Sequence, residues 1–516
     1  MNYNINSLLI ENKFNELEQQ INTFNSTAFS LSCVPAFFLL SVIFFYLTYS
    51  ILMSLSKKKK FPSLKKHSLL IVTLTLMLML QLNFLYSQEN YFLYNTYFLK
   101  TQETTSLSMY ICIVSILVLL VMNKYNEKEN LDNMEYYTLL LSSIFALTIL
   151  LESNEIISFF FILELQSISS YILAGFNKKY KWTLQSGIKY FIIGGVSSIF
   201  VIIGFIFFYS LTGSTSFEDL KVFSNNNYLV ESNKYSLQLG IFFLTVGLFG
   251  KFYIAPFHWW IVDVYEGSPS TTTLYFSTVP LFSLFYVLYK IYFIFLSGYL
   301  DYYVYYFILG SYMSMFIGSI GALLQKRLKR LLAYSSINLL GYLLTIFIST
   351  HTVAFVESIN LLIPYTINVV LLFAFFYNGN YRMLSFKKIK KIDYIEDFYL
   401  LRGIQTNTYN KYIFAIGLYG LLGLPPMPLF LQKFYLLEHL SMHGNWFLSF
   451  FFVLSSMISG YYYLYIIKEL FYHKTPILSN NKKIVFSLSY NSISCYVMSI
   501  LFFFQFYLIL TTFNIF

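Results

Sequence analysis

Charge is the first thing this sequence has little of. Of its 516 residues only 11% are Asp, Glu, Lys or Arg, where a soluble globular chain carries roughly 25%. Cysteine is nearly absent. Cys33, Cys112 and Cys495 each lie inside an apolar run and none pairs with another at CxxC spacing. That excludes an iron–sulfur site, a zinc site and a disulfide framework from the readings the sequence supports. No nucleotide-binding loop or flavin motif is present, and no stretch is long and polar enough to form a soluble domain. A cleavable leader is not expected either: residues 1–27 are polar, and the apolar run after them is too long for a signal core. Glycine (22) and proline (10) are scarce, so the prolines that interrupt apolar runs stand out.

What is present is hydrophobic length. The composition is 57% hydrophobic, with 57 Phe and 48 Tyr. Phe, Tyr, Asn, Ile and Lys have AT-rich codons, which hints at an AT-rich organellar genome. The apolar residues come in runs of about 18 to 25, and runs that long read as membrane-spanning helices. Spans are expected at 28–55, 67–88, 105–123, 135–154, 155–176, 186–212, 236–262, 270–297, 303–325, 331–351, 358–378, 411–440, 446–472 and 485–514. The fold class is therefore an all-α integral membrane protein of about fourteen helices.

The loop charges test this reading. Loops after odd-numbered spans hold Lys57 to Lys60, Lys65 and Lys66, Lys178 and Lys179, Lys326 to Arg330, Lys387 to Lys391, and Lys482 and Lys483, among others; loops after even-numbered spans hold only Lys100, Lys221 and Lys234. A miscounted span would scramble the alternation. The net charge of +10 is thus a feature of topology and not a nucleic-acid footprint. By the positive-inside rule the basic loops lie on the matrix or cytoplasmic side, with both termini opposite.

A few charges remain inside the spans. Glu164 falls near the middle of the fifth, too deep to snorkel. Lys251 lies in the seventh, five residues before Pro256 and close to His258. Lys433 lies in the twelfth, five residues after Pro428 in the run Gly423-Leu424-Pro425-Pro426-Met427-Pro428. Intramembrane charge costs roughly 2.5–3.5 kcal/mol or more, so each is a functional candidate. The bland alternatives are a neutral hydrogen-bonded carboxyl at Glu164, a lysine on freed carbonyls at Lys251, and a snorkelling lysine at Lys433. Snorkelling is the better reading for Lys189 and Lys468, near the basic-side ends of their spans; for Lys290 function and snorkelling stand level. Proline breaks a helix, and backbone freed at membrane depth must face protein or water. The breaks at Pro256 and Pro425 are about 169 residues apart, and the fourth and ninth spans start at about the same separation. Spans four to eight and nine to thirteen therefore read as two five-helix repeats, inverted because each holds an odd number of helices. Paired discontinuous helices in inverted repeats mark a transporter core. The expected organisation is a polar tail (1–27), three N-terminal spans (28–134), a first repeat (135–300), a second repeat (301–472), and a basic loop with a last span (473–516).

The motifs resemble a known family. Phe161-Ile162-Leu163-Glu164-Leu165-Gln166-Ser167, Ile188-Lys189-Tyr190-Phe191 with Gly194, Gly250-Lys251, Ala255-Pro256-Phe257-His258-Trp259, Asp263 to Pro269, Lys329-Arg330-Leu331-Leu332-Ala333-Tyr334-Ser335-Ser336, Gly423-Leu424-Pro425-Pro426 with Gln432-Lys433, and Ile458-Ser459-Gly460-Tyr461 are similar to helices of the antiporter-like subunits of NADH:ubiquinone oxidoreductase, respiratory complex I. Lysine at 433 and the Ile188–Phe191 run favour the subunit 2 type, mitochondrially encoded, over subunit 4. The resemblance covers about residues 135 to 472. It implies a proton-translocating membrane-arm subunit of the mitochondrial inner membrane, neighbouring subunits 4 and 4L and lipids such as cardiolipin. NADH, FMN, iron–sulfur clusters and ubiquinone would be handled by partner subunits, with no cofactor or metal in this chain. Glu164 would pair with Lys251, and Lys433 would stand on the exit side. One departure is clear: the family's central eighth-helix lysine falls here at Leu281, preceded by Pro280. The relay would then need water, hydroxyls such as Thr278 and Ser283, or a displaced Lys290. A stand-alone cation/proton antiporter and a scaffold subunit that has lost its channel are the competing readings.

Overall fold

A computed structural model describes residues 33–55, 62–86, 91–93, 97–129, 131–178, 180–225, 234–348, 354–378, 381–382, 389–390 and 408–472, with a few positions between 497 and 508. Among the described residues three helices come first: α1 (Val34–Leu55), α2 (Pro62–Leu85) and α3 (Gln102–Glu129). Between α2 and α3, β1 (Tyr91–Leu93) and β2 (Phe98–Lys100) pair antiparallel. Then follow α4 (Met134–Glu152), α5 (Ile156–Ala174), α6 (Lys181–Thr212) and the short α7 (Phe217–Asn225).

The expected seventh span is two helices, α8 (Lys234–Lys251) and α9 (Trp259–Gly267). The expected eighth is also divided, into α10 (Ser270–Phe276) and α11 (Val279–Tyr289), and it ends in a π turn over Lys290–Phe295. Pro280 accounts for that interruption: it has no N–H to donate, and its ring would collide with the carbonyl four residues back. The second half contains α12 (Leu300–Leu323), α13 (Leu328–Thr345) and α14 (Ala354–Asn378). It continues with the divided pair α15 (Thr408–Leu422) and α16 (Pro428–Met442), then α17 (Trp446–Phe471).

Eleven helical segments among the described residues are long and apolar enough to cross a membrane, and α8 with α9 and α15 with α16 are the two broken elements besides. The expected last span at 485–514 lies almost wholly outside the described residues, as do residues 1–27. The elements bury themselves to very different extents. The α13 segment is 89% buried and α14 83%, whereas α1 is 17% buried. The outer face of α6 exposes Ile188, Phe191, Ile192, Ile199 and Ile206. An apolar face turned outward fits hydrocarbon, where it costs nothing to leave unburied by protein.

The packing pairs recur. In the first half α4 packs on α5, α6 on α8, and α4 on α11; in the second, α12 packs on α13, α14 on α15, and α12 on α17. The two halves meet where α9 lies against α13.

Candidate functional site

α5 is apolar from Phe159 to Leu163 and then carries Glu164, Gln166, Ser167, Ser169 and Ser170 within two turns. Glu164 points at the end of α8. There the Lys251 Nζ donates to Glu164 Oε1 at 2.8 Å, with the two side chains 8% and 24% exposed. Ser167 Oγ donates to the other carboxylate oxygen at 3.1 Å. The pairing that the resemblance implied is thus present as a contact, with Glu164 held by Lys251 and Ser167. Beside it a cavity of about 30 Å³ is lined by Ser167, Tyr171, Tyr190, Lys251, Tyr253 and Trp260, among others, enough to hold water. Gly194 makes this wall possible: a Cβ there would stand 1.8 Å from the Tyr171 hydroxyl oxygen.

The chain breaks after Lys251, ahead of Pro256. Tyr253 takes a left-handed backbone (φ 46°), the Ala255–Pro256 bond is cis, and α9 restarts at Trp259. The carbonyls that the break frees find partners close by. Phe252 N donates to Leu248 O at 2.9 Å, Ile254 N to Phe249 O at 3.0 Å, and the Trp260 indole to Gly250 O at 3.2 Å. Lys251 is therefore not consumed by those carbonyls, and its ammonium is available to Glu164.

The second break uses its lysine differently. Gly423 is left-handed (φ 74°), Pro425–Pro426 is cis, and α16 restarts at Pro428. Lys433, on the first turns of α16, folds back to donate to Leu422 O at 3.1 Å and Leu421 O at 3.4 Å, with its Nζ 5.3 Å over the Tyr342 ring. These are the last carbonyls of α15, the negative end of that helix, where a cation is favoured. Lys433 is buried and does not snorkel.

The remaining candidates lie apart from that pair. His258 caps α9, its ring 6.4 Å from that of Tyr334, and its Nδ1 is buried without a protein partner. Lys290 makes its hydrogen bonds elsewhere. It donates to the Ser153 carbonyl and, at 3.4 Å, to Leu151 O, at the turn between α4 and α5. Leu281 is buried and apolar. Thr278 and Ser283 spend their hydroxyls on their own chain, donating to Leu274 O at 2.7 Å and Pro280 O at 3.0 Å. Neither offers its hydrogen to a relay through α11.

Three charged groups escape the span-by-span reading. Lys100 is 1% exposed, because β2 packs on the end of α4 with Asn154 N donating to Tyr97 O at 2.8 Å. Burial pushes its ammonium below the ordinary lysine range, against the opposing charge of Glu152, which also acts on Lys290. His439 of α16 pairs with Glu357 of α14 at 2.6 Å. At the opposite end, Lys189 pairs with Asp263, and Glu266 pairs with both Arg327 and Arg330. Lys189 is an ion-pair partner here and not simply a snorkelling cation. Among the described residues no group of three or more His, Cys, Asp or Glu side chains is placed to hold a metal.

Residues 153–459 match the model of a family described as NADH:quinone oxidoreductase/Mrp antiporter, transmembrane. The chain belongs to this family. Among relatives of this antiporter-like chain, NADH-quinone oxidoreductase subunit N of Pelagibacter ubique is 33% identical over 440 residues, covering 85% of this chain and 90% of the relative. NADH-ubiquinone oxidoreductase chain 2 of Oenothera berteroana is 28% identical over 447 residues, covering 86% and 89%. In fold, the antiporter-like chain is similar to a chain of respiratory complex I from Thermus thermophilus (TM-score 0.69, 22% identity, 92% of this chain and 97% of that one). It is also similar to a chain of an archaeal membrane-bound sulfane sulfur reductase (TM-score 0.75, 20% identity, 95% of each).

Proposed function

We propose that this chain is a proton-translocating membrane-arm subunit of NADH:ubiquinone oxidoreductase, the subunit N or chain 2 type. The observation that carries the reading is the Glu164–Lys251 ion pair, set in the apolar body of the molecule beside a helix break and a cavity. At about 3 Å and an effective dielectric near 20, such a pair gains roughly 5 kcal/mol over its separated charges. A nearby carboxylate favours the ammonium form of Lys251, and low dielectric without it favours the neutral amine. Opening the pair therefore releases a proton and closing it loads one. Moving each charge against 100 mV costs about 2.3 kcal/mol, so the opening has to be driven by redox chemistry in partner subunits, where NADH, flavin, iron–sulfur clusters and ubiquinone react. The recurring packing pairs and the matching divided elements α8–α9 and α15–α16 support residues 135–300 and 301–472 as inverted repeats about this axis.

The site's setting follows from the same reading. The organellar composition and the chain 2 relatives support the mitochondrial inner membrane, with the basic loops in the matrix and both termini on the intermembrane-space side. Subunits 4 and 4L and cardiolipin are the neighbours this position implies. Replacing Glu164 with Gln keeps the shape and removes the charge. In the assembled complex reconstituted in sealed vesicles, Glu164→Gln is expected to lower the proton-to-electron ratio and slow coupled turnover. An unchanged ratio would leave the chain as a scaffold. Cation exchange by this chain purified free of redox subunits would instead make it a stand-alone antiporter.

A further inference from the structure

A pair of titratable side chains in the second half takes no part in the Glu164–Lys251 site. His439 lies in the last turn of α16 and Glu357 in the first turn of α14, with the imidazole Nε2 2.6 Å from Glu357 Oε1. The carboxylate side chain is 11% exposed and the imidazole 31%, so the acid is covered and the base is reached from outside. Both helix ends lie on the face opposite the basic loops. α13 starts beside Arg327, Lys329 and Arg330 and runs away from them, and α14 starts after α13 has ended. α17 follows the end of α16 and runs back to Lys468.

The strength of this contact depends on the charge of the imidazole. A histidine ordinarily changes charge near about pH 6.5 and a glutamate near about pH 4.3. Between those values an imidazolium faces a carboxylate, and a charge-assisted hydrogen bond is roughly twice as strong as a neutral one. Above the histidine value the imidazole keeps a single N–H, on either nitrogen, and the attraction between full charges is gone. The contact is therefore strongest in mild acid and weakens as pH rises through the histidine range. The surroundings bear on that charge too. α16 itself brings Tyr435, Glu438 and His443 to this end. Against α14, α3 brings Glu103, and α11 brings Tyr286 and Tyr289, whose ring packs on Phe355 at 5.3 Å. The carboxylates favour the charged imidazole and the exposed His443 opposes it. The charged residues of α13, α15 and α17 lie at their other ends: Lys329 and Arg330, Lys411, and Lys468 with Glu469.

What α16 carries gives the contact its reach. Lys433 stands in its first turns and holds the Leu421 and Leu422 carbonyls at the end of α15. α16 is thus tied at its start to α15 and at its end to α14, and the second tie responds to protons in the compartment opposite the basic loops. We propose that His439 and Glu357 form a proton-operated clamp between α16 and α14, closed by acid on that face and loosened as that face turns alkaline. Its use as a brake rests on the pumping role proposed above. Protons delivered to that compartment charge His439 and tighten the clamp. The helix that bears Lys433 is then held more firmly, and further turnover slows.

The test uses the assembled complex and compares the unaltered protein with His439→Gln and Glu357→Gln, with His443→Gln as the control at the same helix end. Gln at 439 keeps a donor toward Glu357 and removes the titration. The first readout is amide hydrogen exchange in the last turn of α16 and the first turn of α14, corrected for the intrinsic rate. It is taken at about pH 5.5 and about pH 7.5, on either side of the ordinary histidine value. The unaltered protein and His443→Gln are expected to gain several-fold protection in acid, and the two clamp variants none. The second readout is NADH-driven turnover in sealed vesicles, with the redox side held at one pH and the lumen set to each value in turn. The thermodynamic load of an acid lumen is common to all variants, so His439→Gln is expected to slow less than the unaltered protein. Exchange that ignores pH in the unaltered protein, or follows it equally in His439→Gln, overturns the clamp. Exchange that follows pH as expected, with equal slowing in both proteins, overturns the brake. A silent Glu164→Gln removes the pump and the brake with it, and the exchange result still decides the clamp.

Discussion

At the first break the Trp260 indole donates to Gly250 O, while at the second a lysine fills the equivalent role on Leu421 and Leu422. The two breaks thus solve one problem, carbonyls freed at membrane depth, with different donors. The difference decides which lysine is free to pair with a carboxylate. Trp260→Phe keeps the ring packed on Tyr190, now 4.5 Å away in a stacked arrangement, but removes the donor. Gly250 O then competes with Glu164 for the Lys251 ammonium. Leaving a buried acceptor unpaired costs about 1–3 kcal/mol, so Trp260→Phe is expected to lower thermal stability modestly and to weaken coupling, read as the melting temperature of the purified complex and its proton-to-electron ratio. Glu164, Lys251 and Lys433 were legible in the sequence because charge inside an apolar run is rare and costly. Trp260 was not, since an aromatic residue in such a run carries no mark of whether its N–H is used. Lys100 was hidden for the opposite reason: it reads as a loop cation, and only the β1–β2 hairpin against α4 buries it.

The elements are held close by small residues. α6 and α8 cross where Gly204 meets Leu244 and Gly247 meets Val201; a Cβ on Gly247 would stand 2.6 Å from the Val201 backbone nitrogen. Small residues let membrane helices approach to backbone contact, where packing and not hydrophobic transfer drives association. Gly247→Ala has to push α6 and α8 apart one turn from Lys251. Overpacking of this kind typically costs 1–3 kcal/mol, and the expected result is a lower melting temperature for the complex, with less of this subunit retained on blue-native gels. Divided elements were readable where proline sits beside glycine or a charge, as at Pro256 and at Pro425, Pro426 and Pro428. The interruption at Ser277–Thr278 carried the same signal in Pro280, but the run around it is so uniformly apolar that it reads as one helix. The π turn over Lys290–Phe295 left no sequence mark, because a π turn differs from an α turn by one residue and not by composition.

For the whole molecule, the charges on the basic side tie the halves together. Lys189 on α6 and Asp263 and Glu266 on α9 belong to the first half; Arg327 and Arg330, at the start of α13, belong to the second. Lys329 adds a bond to Ser268 O at 2.8 Å. Partly exposed pairs of this sort contribute little individually, but as a network they fix where α9 lies on α13. Glu266→Gln removes the anion that two arginines share. It is expected to raise amide hydrogen exchange at the α9–α13 junction while the Glu164 region exchanges as before. Equal exchange at the junction would show that apolar packing alone sets it. The alternation of basic loops supported a count of about fourteen spans and suggested their direction. The contact between halves could not be read that way, since nothing in a linear pattern says which loops meet.

The Lys290 ammonium has one more consequence. It supplies the donor for Ser153 O and Leu151 O from 137 and 139 residues further along the chain. A membrane protein made from its N-terminus inserts α4 and α5 long before α11 exists. The corner between them is therefore completed late in biogenesis, and its final shape depends on α11 having arrived with the right register.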